Sequence, residues 1–172
     1  MNIPKKLGVS FLTVSLSAAI MTIVFFANIW EIRDATKRNN HAQEVYAKAL
    51  TLETSILREN SQLRGFLVTA DKSYLKSYDE ARKDYDATSR ELTAMLTDPA
   101  ELALVAKSHA ETAKWRRNWS DRLTRWVKEG RRDEAQQAVR DAGKAVLTSD
   151  IVLPLRAIRD QETAAIASNA AS

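Results

Sequence analysis

The sequence contains no cysteine in its 172 residues, and only four glycines and three prolines. The lack of cysteine excludes a disulfide framework, thiol catalysis and cysteine-ligated zinc. The scarcity of glycine and proline indicates few turns, and with 45% hydrophobic and 28% charged residues it is typical of one folded, all-helical domain. The formal net charge of +4 is too small to indicate a partner.

Catalytic and metal-binding patterns are also scarce. The two histidines are His41 and His109, and His41 with Glu44 offers two ligands on one helical face, where three or four are usual. No glycine-rich phosphate loop and no Ser/His/Asp set can be recognised by spacing. The sequence therefore predicts no enzyme activity in this chain, no metal site and no cofactor.

One long hydrophobic run is present near the N-terminus, from Leu7 to Trp30, and it contains no charged residue. As a helix it spans roughly 36 Å, enough to cross a hydrocarbon core of about 30 Å. Lys5 and Lys6 precede the run, and Trp30 lies where an interfacial aromatic residue belongs. This pattern predicts a transmembrane helix over residues 7–30.

A cleaved signal peptide is the alternative, because Ser17-Ala18-Ala19 offers small residues. The apolar run continues well past them, which favours an uncleaved anchor. Orientation is not decided by charge, since basic residues flank the run on both sides.

A heptad-like stripe follows the hydrophobic run and reaches about Thr69. Its apolar spacing of three and four predicts a bundle or coiled-coil seam that continues the first helix. Glu59 and Asn60 are the polar exceptions on or beside the seam. They either face water or a ligand or, as is commoner, fix the register of the helices. The eight seam positions are Ala42, Val45, Ala49, Leu52, Ile56, Glu59, Leu63 and Phe66.

Helix boundaries are marked at few places. Asp71 is placed to cap a second helix, and residues 98–101 (DPAE) supply an N-cap, a proline at the first helical position and a glutamate three residues after the cap. Gly130 is expected to end the third helix. A fourth helix is expected to begin near Asp133 and to run through Ala135, Val139, Ala142, Val146 and Ile151, with Pro154 kinking or breaking it.

These boundaries predict an all-α fold in which an N-terminal transmembrane helix continues into an up-down-up-down antiparallel four-helix bundle. The predicted organisation is a cytoplasmic tail over 1–6, a transmembrane helix over 7–30 and an extracytoplasmic four-helix sensor domain over 31–172. We expect the chain to be part of a longer protein in which a second transmembrane helix follows.

The segment ENSQLRGFLVTADKSYLKSY, residues 59–78, carries the most specific pattern. It resembles the third CHASE type of extracytoplasmic sensor domain, in which an Arg-Gly-aromatic-Leu-Leu-Thr-Gly-Asp run ends the first helix and Tyr-Leu-x-x-Tyr opens the second. Val68 and Ala70 depart from the usual Leu and Gly, so the turn at Ala70 is expected to be sterically tighter. The matching residues are Arg64, Gly65, Phe66, Leu67, Thr69, Asp71, Tyr74, Leu75 and Tyr78.

The resemblance implies a periplasmic input module of a homodimeric receptor in the inner membrane. The receptor would be a methyl-accepting chemotaxis protein, a sensor histidine kinase or a diguanylate cyclase, with its output module on the part that follows this chain. On this interpretation Gly65 lets a neighbouring helix approach closely, and Arg64 pairs with an acidic group or a ligand. Packing alone is the competing explanation for both residues.

Basic and aromatic residues are concentrated in residues 114–132, where only Asp121 and Glu129 are acidic. Trp115, Trp119 and Trp126 fall on one helical face, which favours core packing, with the arginines paired to acids such as Glu80, Asp84 and Asp86. The alternative is a site for a small anionic ligand. Its candidate residues are Arg64, Trp115, Arg116, Trp119 and Arg122.

Three classes of function fit these patterns. The first is a sensory receptor domain, which binds a ligand or a periplasmic protein. The second is a membrane-tethered helical adaptor without signalling output, and the third is a secreted helical binding protein. Nucleic acid is not an expected partner, because the basic segment lies beside a membrane anchor on its presumed outer side.

Overall fold

The computed structural model describes the backbone of residues 3–142 and 149–171, and the side chains of residues 15–142 and 149–169. Within these ranges the chain is helical and has no strand, which confirms the all-α prediction. The chain divides by its internal contacts into two compact units, Met1–His41 and Ala42–Ser172. The helices are α1 (Ile3–Thr69), α2 (Lys72–Met95), α3 (Pro99–Trp115), α4 (Asp121–Lys128), α5 (Arg132–Ala142) and α6 (Ser149–Ala171), with a π-helical segment (Arg116–Ser120) between α3 and α4.

The first unit carries the hydrophobic run within α1. By length and composition, this is the candidate membrane span found among the described residues, with a mean hydropathy of 1.6 over its most apolar window. Its large apolar side chains are exposed, including Met21, Phe25 and Phe26. Thr22 Oγ1 donates to the Ala18 carbonyl at 2.8 Å, so this hydroxyl is satisfied inside the helix, as a hydrocarbon environment requires.

The second unit contains the predicted seam. All eight seam positions, from Ala42 to Phe66, are buried, which confirms the heptad interpretation. Burying one side chain such as Leu52 or Ile56 stabilises the fold by about 1.5–3 kcal/mol relative to leaving it in water. The seam is therefore a main part of the core, and Glu59 is a fully buried carboxylate within it.

Contacts between helices show that helices packed side by side in the bundle run antiparallel. As residue numbers rise along α1, the numbers of the α2 residues in contact fall, and the same holds for α2 with the α3–α4 run and for α1 with α6. The up-down order of the predicted bundle follows from these registers. The pairs are Lys48–Glu91, Arg58–Asp84 and Arg58–Glu80 for α1 and α2, Asp86–Arg116 and Arg82–Asp121 for α2 and the α3–α4 run, and Tyr46–Arg159 and Glu53–Arg156 for α1 and α6.

The turn between α1 and α2 is tight and capped as predicted. Asp71 Oδ1 accepts a hydrogen bond from the Ser73 amide at 2.8 Å, and this bond is the main reason that the pKa of Asp71 is lowered. Ala70 has φ +58°, the left-handed region that glycine adopts at least cost. The departure from glycine at position 70 therefore introduces backbone strain into the turn.

Gly65 permits a close approach of α2 to α1. A Cβ atom built on Gly65 would lie 2.4 Å from Cδ1 and Cε1 of Tyr74, far inside van der Waals contact. Tyr74 lies in the first turn of α2 and packs against the core. The glycine in this helix interior is thus explained by the tyrosine ring that occupies its missing side-chain position.

The third helical run, Pro99 to Lys128, begins and ends where the sequence predicts. Asp98 Oδ1 accepts from the Ala100 amide at 2.8 Å, and Pro99 occupies the first turn. At the other end Gly130 has φ +83°. Arg131 N donates to Trp126 O at 2.8 Å and Gly130 N to Val127 O at 3.1 Å, the two bonds of a Schellman motif.

The predicted fourth helix is described as α5 and α6 on either side of residues 143–148. Val146, expected on this helix, lies outside the described residues. Pro154 lies inside α6 and does not break it, because the helix runs from Ser149 to Ala171. Helix α6 packs against α3, and α5 against α4.

Candidate functional site

A buried charged cluster, formed by Arg116, Glu59 and Asp86, joins three helical elements in the second unit. Arg116 Nε and Nη2 donate to the two oxygens of Glu59 at 2.9 and 2.5 Å, and Nη1 donates to Asp86 Oδ1 at 2.7 Å. Glu59 is 0% exposed and Arg116 6%. Two parallel bonds from one guanidinium fix the angle as well as the distance, so this Arg116 cluster holds α1, α2 and the π-helical segment in one register.

Tyrosine and hydroxyl groups extend the Arg116 cluster toward α6. The Arg116 guanidinium lies over the Tyr85 ring, 5.2 Å from its centroid. The Tyr85 hydroxyl lies 3.1 Å from Ser108 Oγ and 2.9 Å from Thr112 Oγ1. Ser108 Oγ also donates to the Ile151 carbonyl of α6 at 2.9 Å. A polar path of direct contacts therefore runs from Glu59 on α1 to α6 through the bundle interior.

Charge in the Arg116 cluster is unbalanced, because one guanidinium serves two carboxylates. Burial raises the pKa of Glu59, the nearby Asp86 charge adds to this effect, and the bonds from Arg116 oppose it. For Arg116, burial opposes ionisation, but the bonds to Glu59 and Asp86 outweigh it and raise the pKa. The arginine therefore stays charged.

The π-helical segment places Arg116 in this cluster. The Asp121 amide bonds to the Arg116 carbonyl, an i→i+5 bond that closes the π turn. In an α-helix with 3.6 residues per turn, side chains spaced four residues apart are rotated slightly from one another around the helix axis. A π turn contains more residues, so it reduces this rotation and keeps such side chains on one face. Thr112, Arg116 and Ser120 are consequently all buried on the same run. The Ser120 hydroxyl donates to Tyr78 at 2.6 Å.

A second carboxylate of α1 is also held by arginines, here from α6. Arg156 Nε and Nη2 donate to Glu53 Oε1 at 2.9 and 2.6 Å, and Arg159 Nη1 bonds to Glu53 Oε2. The Arg159 guanidinium also lies 5.1 Å from the centroid of the Tyr46 ring. This Glu53 clasp, Glu53 with Arg156 and Arg159, links α1 directly to α6.

The three tryptophans of the predicted stripe, two of them candidates for an anion site, pack in or against the core. Trp115 is buried, and Trp119 and Trp126 are partly buried and pack against the core. Arg122 lies between the last two, 5.7 Å from the Trp119 ring and 5.3 Å from the Trp126 ring. The packing interpretation of the stripe accounts for these contacts, although Trp115 Nε1 is buried without a hydrogen-bond partner in the described part of the chain.

The five candidate ligand residues do not form a single cluster through contacts among the described residues. Arg116 is committed to Glu59 and Asp86, the last of which was among the acids expected to pair with this segment. Arg64 instead lines a groove between α1 and α5. The α5 side of this groove includes Gln136 and Val139. The proposal that all five bind one anion stays a prediction.

Sequence reasoning missed three features of this region: the π segment, the Glu59–Arg116 pair and the Glu53 clasp. A buried glutamate on a seam requires a cationic or hydrogen-bonding partner, so Glu59 carried a signal that a partner exists. It did not indicate which arginine. Glu80 and Asp84, expected to pair with the basic segment, bind Arg58 of α1 instead.

The described chain is thus an all-helical bundle whose helices are joined by an internal charged cluster, and it carries a candidate membrane span in α1. Residues 35–172 match the family model of the CHASE3 domain. The chain therefore belongs to the CHASE3 family, whose members are sensor domains found in chemotaxis receptors and histidine kinases. Comparisons with curated proteins and with solved structures give no match.

Proposed function

We propose that this chain is the periplasmic input region of a homodimeric receptor in the bacterial inner membrane, with a methyl-accepting chemotaxis protein as the output. The match of residues 35–172 to a sensor family carries this proposal. The candidate membrane span in α1 supports it, because a single helix then contains both the anchor and the seam of the sensor. A sensor histidine kinase is the second candidate, since the same family serves that output.

The signal would pass through α1 and α6. These two helices are joined by the Glu53 clasp, and the polar path from Glu59 to Ile151 joins them again through α3. A displacement of α6 along α1 of about 1–2 Å is the size of shift that receptors transmit. A stimulus produces it only by binding one arrangement better than the other.

Membrane topology can be tested with reporter fusions. Alkaline phosphatase fused after residue 172 is expected to be active, because the bundle lies in the periplasm, and green fluorescent protein fused there is expected to stay dark. Fluorescent cells with inactive phosphatase would place the bundle in the cytoplasm and overturn the proposal. Both fusions must be found in the membrane fraction, which also tests the cleaved-signal alternative.

The homodimer can be tested by disulfide crosslinking in membranes. The chain has no native cysteine, so Leu50→Cys and Leu57→Cys each carry a single thiol. These leucines are exposed and seven residues apart on α1, the repeat of a two-helix contact. Crosslinking of these two variants is expected to exceed that of Lys76→Cys on α2. Equal, slow crosslinking at all three sites would argue against a dimer along α1.

The class of output can be tested from the gene downstream of Ser172. A second hydrophobic span followed by a heptad-patterned coiled coil with methylatable glutamates would support a chemotaxis receptor. A kinase or cyclase region would replace that output and keep the input role. A stop codon would overturn the receptor and leave the adaptor.

A further inference from the structure

A groove of about 510 Å³ separates the C-terminal end of α1 from α5, and we will call it the distal groove. Its described lining consists of matched sets from the two helices, each at positions i, i+3 and i+4, which share one helical face. The α1 set is Arg64, Leu67 and Val68, and the α5 set is Gln136, Val139 and Arg140. Each helix thus contributes one arginine and one valine.

The two arginines give the distal groove an unneutralised positive charge. Arg64 forms no hydrogen bond or ion pair with any described residue, although it lies on a helix where Arg58 pairs with two acids. Arg140 is held by Gln137 Oε1 at 3.0 and 2.7 Å, a neutral amide. No acidic side chain occurs among the described lining residues.

The floor of the groove is apolar, and one hydrogen bond between described residues crosses it from α5 to α1. Leu67 is buried, and its carbonyl, one of the last in α1, accepts from Gln136 Nε2 at 3.0 Å. The two valines stand beside it, and Val68 is exposed. The groove volume is within the range of small-molecule sites, which are mostly apolar with a few convergent polar groups.

We propose that the distal groove binds a small organic anion with an apolar body, such as a short-chain carboxylate. Arg64 and Arg140 would hold the carboxylate from two helices, and Leu67, Val68 and Val139 would contact the hydrocarbon. Such a ligand would join α5 to the end of α1, which among the described residues are linked by the Gln136–Leu67 hydrogen bond. This inference rests on the proposed sensory function, because it identifies the class of ligand that the sensor detects.

The test is isothermal titration of the full chain in lipid nanodiscs with hexanoate, and with hexanamide as the neutral probe of equal shape. Empty nanodiscs correct for partition into lipid. Hexanoate is expected to bind at least about tenfold more tightly than hexanamide, as loss of a charge-assisted hydrogen bond predicts. Acetate is expected to bind more weakly than hexanoate, because it leaves the apolar floor uncovered.

Variants identify the groove. Arg64→Gln and Arg140→Gln are each expected to weaken hexanoate binding by about tenfold and to leave hexanamide binding unchanged. Arg58→Gln is the matched control, one exposed arginine on the same helix outside the groove, and is expected to leave both unchanged. If a glutamine variant is misfolded by circular dichroism, the comparison of hexanoate with hexanamide on the wild-type chain still decides the matter.

Equal binding of hexanoate and hexanamide, no binding of hexanoate in the millimolar range, or insensitivity to both groove variants would overturn the proposal. The site and the sensory function fail separately. Binding to a receptor chimaera without a change in its output would keep the site and remove its sensory role. Failure of the titration together with periplasmic topology and dimer crosslinking would remove the site and keep the receptor.

Discussion

Glu53 and Glu59 both lie on α1, and each binds arginine through both carboxylate oxygens, yet their surroundings differ. Glu59 and its partner Arg116 are enclosed, with 0% and 7% of their side chains exposed. Glu53 is 8% exposed, but Arg156 is 56% exposed and Arg159 24%. One arginine spans both oxygens of Glu59 in an enclosed site, whereas two arginines share Glu53 and one of them is exposed.

This difference shows that the number and length of hydrogen bonds alone do not determine how much each contact contributes to stability. An enclosed pair is costly to desolvate, and removal of one partner leaves a charge that water cannot reach. In the clasp, the exposed Arg156 is screened by water, and Arg159 still holds the buried Glu53 when Arg156 is removed. We infer that the Arg116 cluster is a fixed part of the bundle, whereas the Arg156 contact of the Glu53 clasp can be broken at small cost.

The same substitution in the two clusters provides the strongest test. Arg116→Met is expected to lower the free energy of unfolding by about 3–5 kcal/mol, because Glu59 is left buried and unpaired. Arg156→Met, at the exposed clasp, is expected to cost at most about 1 kcal/mol. Chemical denaturation of the full chain in detergent, followed by circular dichroism, measures both.

A double variant controls for the loss of packing. Adding Glu59→Gln to Arg116→Met removes the stranded charge, so part of the lost stability is expected to return. If the two single methionine variants are equally stable, the contrast between the clusters is wrong.

Gly65→Ala sharpens the comparison with a steric contact on the same helix. The new Cβ would lie 2.4 Å from the Tyr74 ring, so the ring must move. Overpacking of this kind costs about 1–3 kcal/mol, which places the variant between the two arginine substitutions. Thermal unfolding of the single variant and of Gly65→Ala with Tyr74→Ala measures it.

The alanine at position 74 makes room for the new methyl group. In the Tyr74→Ala background, Gly65→Ala is therefore expected to cost little further stability. An equal cost in both backgrounds would assign the effect to something other than the ring.

The pH dependence of stability separates the enclosed cluster from an exposed carboxylate. Because burial raises the pKa of Glu59, the folded state binds more protons than the unfolded state from the unfolded value near 4.5 up to the folded value. Stability attributable to Glu59 is therefore expected to fall as pH rises through this window. Asp71, whose pKa is lowered, is expected to behave oppositely and to lose its contribution as pH falls through its folded pKa.

The measurement is the free energy of unfolding as a function of pH for the wild type, Glu59→Gln and Asp71→Asn. The free energy of unfolding of the wild type minus that of Glu59→Gln should be larger at low pH and should fall as pH rises through this window. The same slope sign for Glu59 and Asp71 would contradict the assignment.

Ala70→Gly is expected to have the smallest effect, and a stabilising one. At φ +58° an alanine is strained by about 1–2 kcal/mol, and the greater freedom of glycine in the unfolded chain cancels about 0.4–1 kcal/mol of the relief. A net gain of about 0.5–1 kcal/mol follows. Because residue 70 touches neither charged cluster, Ala70→Gly should add independently to Arg116→Met and to Arg156→Met, as denaturation of the two double variants would show.

The sequence predicted those parts of the fold that depend on local patterns. The periodicity of α1 identified all eight seam residues, and Asp71, Asp98 and Gly130 were assigned to the helix ends that they cap or terminate. The role of Gly65 was predicted, but its partner Tyr74 was not identified. These features are set by residues within one or two turns of one another.

The polar contacts between helices could not be predicted in the same way. Whether Glu59 meets Arg116 depends on how α1 and α3 pack and on the π segment, which shifts the helix by one residue without a marker in RRNWS. The candidate anion residues were grouped by type and by spacing on one helix, and this grouping did not indicate that Arg64 lines a groove with residues of α5.

The π segment also has a consequence for the history of the chain. A π turn contains one residue more than the α-turn it replaces, so a relative lacking one residue between 116 and 120 could form a continuous α-helix with both flanking segments in unchanged register. Within the segment, Arg117 and Asn118 are exposed, so loss of either removes no buried side chain. Alignments within this family should therefore allow a one-residue gap inside this helix.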